Sequence, residues 1–135
     1  MNKIIVEISI GELLDKISIL EIKKEKIKDP GKLKFITNEH LVLKKQLENN
    51  IKTDEKLYKL FQSLKEINSK LWNIEDDKRQ CEKEKDFGDK FIKLSRDVHF
   101  LNDDRAKIKL EINDYVKKIQ ILVTNLLNFQ EMFIF

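Results

Sequence analysis

The sequence predicts an all-α protein, an antiparallel up-and-down helical bundle with long hairpin helices and a short extended N-terminal arm. Charged residues make up 38% of the chain and hydrophobic residues 41%, a mixture typical of amphipathic helices. Only three glycines and one proline are available to interrupt them. Apolar residues also recur at heptad spacing over long stretches, as in coiled coils. A length of 135 residues is typical of one domain, so we expect a single helical domain over 1–135.

The N-terminal segment is predicted to be an extended arm over residues 1–8, because its apolar residues are mostly β-branched. The first helix is predicted over 9–28. Ser9 and Glu12 have the spacing of a capping box, in which the Ser9 side chain accepts from the backbone N–H of Glu12. The inward face of this helix is predicted from apolar spacing. Its members are Ile10, Leu13, Ile17, Leu20, Lys24 and Ile27.

The second helix is predicted over 30–50. Pro30 suits a first helical turn, where its missing N–H costs nothing, and Asp29 precedes it as a cap. This helix has the weakest apolar pattern of the four, and one position in the pattern is His40. The residue three before it is Thr37, not the Glu of a di-iron motif, so we interpret His40 as a packed side chain and not as a metal ligand.

The third and fourth helices carry the longest heptad patterns. The third is predicted over 54–86, with either Thr53 or Asp54 as its cap. The fourth is predicted over 89–130, with a possible break where residues 102–104 could cap a fresh start. Two long consecutive helices of this kind predict a protruding hairpin.

The C-terminal tail, residues 119–135, is strongly apolar, and its only charged residue is Glu131. Such a segment requires burial, against this chain or against a second copy, and it lacks the basic face of a membrane-surface helix. We therefore predict a homo-oligomer.

The charge pattern argues against a nucleic-acid partner. The 27 basic and 24 acidic residues are interleaved, whereas a nucleic-acid interface needs basic residues segregated on one face, so we expect no nucleic acid as a partner.

The single cysteine, Cys81, is typical of a reducing compartment. No signal peptide or apolar run long enough for a membrane span is evident. The sequence thus predicts a cytoplasmic protein without a membrane span.

Polar side chains on otherwise apolar helix faces indicate a candidate site. Only three basic residues are arginines, and two of them, Arg79 and Arg105, lie on such faces. Arginine supplies a rigid, permanently charged fork, which suits a buried carboxylate or a bound anion. The candidate ligand-binding residues are Glu21, Lys24, Trp72, Glu75, Arg79, Asn102, Arg105 and Lys109.

Two interpretations of these residues remain open. In the first, they form an interior polar network that fixes helix register, with Glu21, Lys24, Glu75, Arg79, Asn102 and Arg105 as its members. In the second, the cations outnumber the carboxylates and form a pocket for an anionic small molecule, such as a nucleotide or phosphorylated sugar, with Trp72 as a stacking wall. No catalytic, metal-binding or cofactor-binding motif is recognisable, although an anion pocket could belong to an enzyme. The leading hypothesis is a helical binding or scaffold protein that self-associates.

Three segments resemble a known family. They are residues 8–23, residues 71–76 together with Arg79, and residues 102–109. In this order they resemble a family of small helical proteins of unknown function, found in bacteria and phages. The resemblance covers about residues 3–113, after which the tail departs from the family pattern. It implies no activity, but it does imply importance for Glu21, Trp72, Glu75, Asp76, Arg79, Asn102, Asp103 and Arg105.

Overall fold

The computed structural model describes the backbone of residues 3–131 and the side chains of residues 3–120. These residues form four helices and no strand: α1 (Ile10–Lys26), α2 (Pro30–Asn50), α3 (Glu55–Glu84) and α4 (Asp89–Glu131). The predicted all-α bundle is confirmed. The described part of the N-terminal arm is extended and exposed. The tail, residues 119–135, is predicted to be buried. Its side chains from residue 121 onward lie outside the described residues.

The first three helices begin at residues whose side chains cap the backbone. Each cap accepts a hydrogen bond from the N–H three residues later, which satisfies a donor that the helix itself leaves unpaired. The donors are 3.2 Å, 2.8 Å and 2.8 Å away from the caps Ser9, Asp29 and Asp54. The structure therefore selects Asp54, and not Thr53, as the cap of α3.

The connection between α3 and α4 is a short turn. Helix α3 ends at Glu84 and is followed by its C-cap Lys85, whose φ of 54° is left-handed, and α4 begins four residues after Lys85. Helix α4 then continues through residues 102–104 as one helix of 43 residues. Tyr115 donates a hydrogen bond to Asp54, whereas the Lys78 ammonium lies over the Phe91 ring. The start of α3 therefore lies near the later part of α4, and the end of α3 lies near the start of α4, as expected of a helical hairpin.

Helix α1 lies at the centre of the bundle and packs against each of the other three helices. Because it has neighbours on several sides, it is buried on more than one face. The predicted apolar face is buried at Leu13, Ile17 and Leu20, but Lys24 is exposed. A second buried face contains Asp15, Ser18 and Ile22.

The main core contains buried residues from all four helices. Its buried members are Leu13, Leu14, Ile17, Leu47, Leu57, Leu64, Ile112 and Val116. Burying one such side chain contributes about 1.5–3 kcal/mol, so this cluster is the main source of stability. Helix α2 contributes least, because Ile36 and Leu47 are its only buried residues.

Candidate functional site

The most buried charged side chain in the described part of the chain is Asp15, on the second buried face of α1. Its side chain is only 2% exposed. Arg105 of α4 binds both carboxylate oxygens: Nε donates to Oδ1 at 2.9 Å and Nη2 donates to Oδ2 at 2.5 Å. This two-point geometry matches the arginine fork to a carboxylate and is available to no lysine.

Helix α3 contributes an amide to the same carboxylate. The Nδ2 group of Asn68, which is buried, donates to Asp15 Oδ1 at 2.8 Å and to Ser18 Oγ at 2.8 Å. The Ser18 hydroxyl in turn donates to the backbone carbonyl of Asp15 at 2.8 Å. Both Asp15 oxygens, the Asn68 amide nitrogen and the Ser18 hydroxyl are therefore paired within the protein, as is usual for buried polar groups.

A second ion pair lies one turn away on the same two helices. Lys109 Nζ donates to Glu12 Oε2 at 2.6 Å and lies 3.7 Å from Asp15 Oδ2. Two carboxylates thus face two cations, and the charges balance. We call the set the Asp15 cluster. Its members are Glu12, Asp15, Ser18, Asn68, Arg105 and Lys109.

These contacts shift the pKa of Asp15 and the pKa of Arg105. Burial by itself would raise the pKa of Asp15, but hydrogen bonds from Arg105 and Asn68, with the charges of Arg105 and Lys109, outweigh it and lower the pKa. The hydrogen bond to Asp15 likewise raises the pKa of Arg105. Both groups therefore stay charged at neutral pH.

A close approach of α1 to α4 places the cluster. A Cβ atom on Gly11 would overlap the backbone carbonyl oxygen of Lys109, so only glycine permits this spacing. The Gly11 N–H donates to Asn113 Oδ1 at 2.7 Å, which satisfies an unpaired donor in the first turn of α1. The glycine fixes the distance between the helices, and the asparagine fixes their register.

A shallow cavity of about 260 Å³ lies beside the Asp15 cluster. The two arginines predicted from the sequence, Arg79 and Arg105, both line it, as do Trp72 and Glu75. Each arginine also has a carboxylate partner. Arg105 is held by Asp15, whereas Arg79 donates to Asp76 at 2.7 Å on the surface, with a side chain 65% exposed.

The other predicted site residues lie in different places. Glu21 is 3.4 Å from Lys65 of α3 and 3.6 Å from His40 of α2, and not beside either arginine. Lys24 is exposed, as is Asn102, whose Oδ1 lies 3.4 Å from Arg105 Nη1. The six residues expected to form one network are therefore distributed over three locations. Lys109, by contrast, is a full member of the Asp15 cluster.

The sequence interpretation missed Asp15 as the partner of Arg105. It considered one inward face of α1, whereas a helix surrounded by neighbours buries several. A signal was available, because Gly11, Asp15, Ser18 and Ile22 recur at steps of four, three and four. Small and polar residues at helical spacing indicate a second face that another helix approaches closely.

In the described part of the chain, no group of three or more His, Cys, Asp or Glu side chains is arranged to hold a metal ion. Among the described residues, no helix combines the length and apolarity needed to cross a membrane.

Comparison with known proteins identifies a family. The model of a family of unknown function, DUF6165, matches residues 4–126. The chain belongs to this family. The match extends past residue 113, the predicted end of the resemblance, and it includes all members of the Asp15 cluster. Neither the curated proteins nor the solved structures gave a match for this family member.

Proposed function

We propose that this protein is a helical scaffold that works by binding protein surfaces, including a second copy of itself. The observation that carries this proposal is the charge balance of the Asp15 cluster. Arg105 and Lys109 face Asp15 and Glu12, so the cluster has no net charge left for a ligand. Buried charged groups that are paired within the protein favour a structural role for the Asp15 cluster.

The exposed apolar side chains support a binding role. On α4, Ile92 and Phe100 are each 53% exposed, and they flank a groove of about 490 Å³ that Phe91, Arg96 and His99 also line. Contiguous exposed apolar surface of this kind is typical of protein contacts. We call this surface the α4 groove and propose it as the contact between copies.

Sedimentation velocity over a wide concentration range tests the proposal. We expect the wild-type protein to shift from monomer to dimer as concentration rises. Phe100→Glu should prevent the shift, because it would replace an apolar ring of the contact with a charged group that is costly to bury. Lys107→Glu, an exposed substitution on the same helix, serves as the control and should leave association unchanged. A wild-type protein that is monomeric at every concentration would contradict self-association.

A second candidate function is binding of an anionic small molecule, such as a nucleotide or phosphorylated sugar. The observation that favours it is that Arg79 and Arg105 line the same cavity beside Trp72. The carboxylate partners of both arginines count against it, since an anion would have to compete with Asp15 and Asp76.

Thermal unfolding with a panel of phosphorylated metabolites tests this candidate. A ligand that binds only the folded state raises the melting temperature by mass action. Arg79→Ala should abolish the rise. This variant is preferable to Arg105→Ala because Arg79 is exposed and its loss leaves the Asp15 cluster intact. If no compound shifts the wild-type transition, the anion pocket is ruled out for that panel.

A further inference from the structure

The N-terminal arm presents apolar side chains that its own chain leaves uncovered. The side chains of Ile4, Ile5 and Val6 are 85%, 97% and 68% exposed. Among the described residues, no backbone hydrogen bond joins residues 3–8 to the rest of the protein. Apolar surface of this extent is costly to leave in water, and covering it against a partner is favourable. The arm is therefore an extended segment with both its backbone and its side chains free to bind another surface.

One side of the arm combines an apolar side chain with a carboxylate. In an extended chain successive side chains point to opposite sides, so Ile5 and Glu7 lie on the same side, about 7 Å apart. Both residues are exposed. A surface that binds this side of the arm must offer an apolar contact and a cation at the same spacing.

The α4 groove offers this combination. The guanidinium carbon of Arg96 lies 5.8 Å from the centroid of the Phe100 ring, which is close to the spacing on the arm. Arg96 is also the one arginine that has no carboxylate partner among the described residues, whereas Arg79 and Arg105 each have one. An arginine fork binds a carboxylate well, so Arg96 is suited to a carboxylate from another chain.

The arm of the same chain extends away from this groove. Helix α1 runs antiparallel to α4, because Gly11 contacts Asn113 whereas Asp15 contacts Arg105. The arm therefore continues from Gly11 towards the C-terminal part of α4, and Phe100 lies about 20 Å from Asn113 in the opposite direction. In a two-fold dimer with antiparallel α4 helices, by contrast, the arm of each copy lies at the groove end of the other.

We propose that the N-terminal arm of a second copy occupies the α4 groove, with Ile5 against the Phe100 ring and Glu7 paired with Arg96. This inference rests on the proposed self-association through the α4 groove and names the segment that fills it. The exchange is reciprocal, so each dimer contains two arm contacts. The other side of each arm, which is also apolar, lies between the two copies.

Sedimentation velocity of arm variants tests the apolar half of the contact. Ile5→Ser should raise the dissociation constant of the dimer by about tenfold or more, because both arm contacts lose a buried aliphatic side chain. The matched control is Leu41→Ser, which removes an exposed apolar side chain from α2 and should change the dissociation constant by less than about threefold. Ile5 is almost fully exposed in the single copy, so its replacement leaves the fold of the monomer intact.

Exchange of the two charges tests the polar half of the contact. Glu7→Arg and Arg96→Glu each place like charges opposite each other and should each weaken the dimer by about tenfold. The combined variant restores an opposite-charge pair, and its dissociation constant should return to within about threefold of the wild-type value. Glu39→Arg, an exposed charge reversal on α2, is the control and should leave association unchanged.

The arm contact and the self-association on which it rests can fail separately. If Phe100→Glu prevents dimerisation but Ile5→Ser and Glu7→Arg do not weaken it, the arm contact is overturned and self-association through the α4 groove stands. The arm contact is also overturned if the combined charge variant associates no better than the single variants. A wild-type protein that stays monomeric at every concentration would overturn both.

Discussion

The two arginines that stand out in the sequence have different roles at the scale of single residues. Arg105 binds both oxygens of a carboxylate that is nearly inaccessible to water, whereas Arg79 pairs with Asp76 at the surface. An exposed ion pair contributes little, because water screens it, but a buried carboxylate without its cation is costly. The environment of each arginine, and not its residue type, determines its contribution to stability.

Replacing the two arginines separately should reveal this difference. Arg105→Ala leaves Asp15 buried without its main partner, and we expect the free energy of unfolding to fall by about 3 kcal/mol or more. Arg79→Ala should cost less than about 1 kcal/mol. Equilibrium unfolding in urea measures both values. Equal losses in the two variants would show that burial does not distinguish the arginines.

The lowered pKa of Asp15 predicts an acid limit to its stabilising effect. A carboxyl group whose pKa is lower in the folded state stabilises the protein above its unfolded pKa of about 3.9, and that stability is lost as pH falls through the folded pKa. The stability difference between wild type and Asp15→Asn should be constant above about pH 5 and shrink below about pH 4. Urea unfolding at a series of pH values measures the difference. A stability difference that does not change with pH would show that this contact does not lower the pKa of Asp15.

At the scale of helices, the approach of α1 to α4 depends on a residue without a side chain. Gly11 brings the α1 backbone against the carbonyl oxygen of Lys109, and this proximity allows the side chains of Asp15 and Glu12 to reach α4. A larger residue must move the helices apart. The ion pairs would then lengthen together.

Gly11→Ala should lower the free energy of unfolding by about 1–3 kcal/mol, as expected when a methyl group is inserted into a close-packed contact. Gly31→Ala is the matched control. It lies in the exposed first turn of α2, where the new methyl would meet only the Asp29 carboxylate, at 3.3 Å, and the change should be within about 1 kcal/mol. Thermal and urea unfolding measure both. If Gly11→Ala is as stable as wild type, the close approach has no energetic role.

The helices could be predicted from sequence because their signals are local. Ser9, Asp29 and Asp54 cap helices at the positions where their side chains suit the backbone. The left-handed residue after α3 was not predictable in this way, because it is Lys85, whereas Gly88 has no positive φ. The continuity of α4 through residues 102–104 was also left open, since acidic residues there could either cap a helix or lie on its exposed face.

The site was less predictable because its partners are distant in sequence. Arg105 and Lys109 were among the predicted site residues, but their partners Asp15 and Glu12 are about ninety to a hundred residues away in sequence. Periodicity shows which residues share a face, and it does not show which two faces meet. Within α3, Arg79 pairs with Asp76, three residues before it, and not with Glu75, four residues before it.

At the scale of the whole molecule, α1 is the element that joins the others. It packs against α2, α3 and α4, and the Asp15 cluster contains side chains from α1, α3 and α4. A buried network with every member paired can specify one arrangement of helices as well as stabilise it. A fixed bundle of this kind is what a scaffold requires, since the surfaces that it presents must keep their relative positions.

The geometry of the Asp15 cluster predicts that Asp15 and Arg105 act as a coupled structural pair. The most direct test is a double-mutant cycle of Asp15→Asn, Arg105→Gln and the combined variant, each measured by urea unfolding at neutral pH. We predict a coupling free energy of about 2 kcal/mol or more, with the double variant more stable than the sum of the single losses implies. Losses that add to within about 0.5 kcal/mol would contradict the claim and show that the two residues act independently.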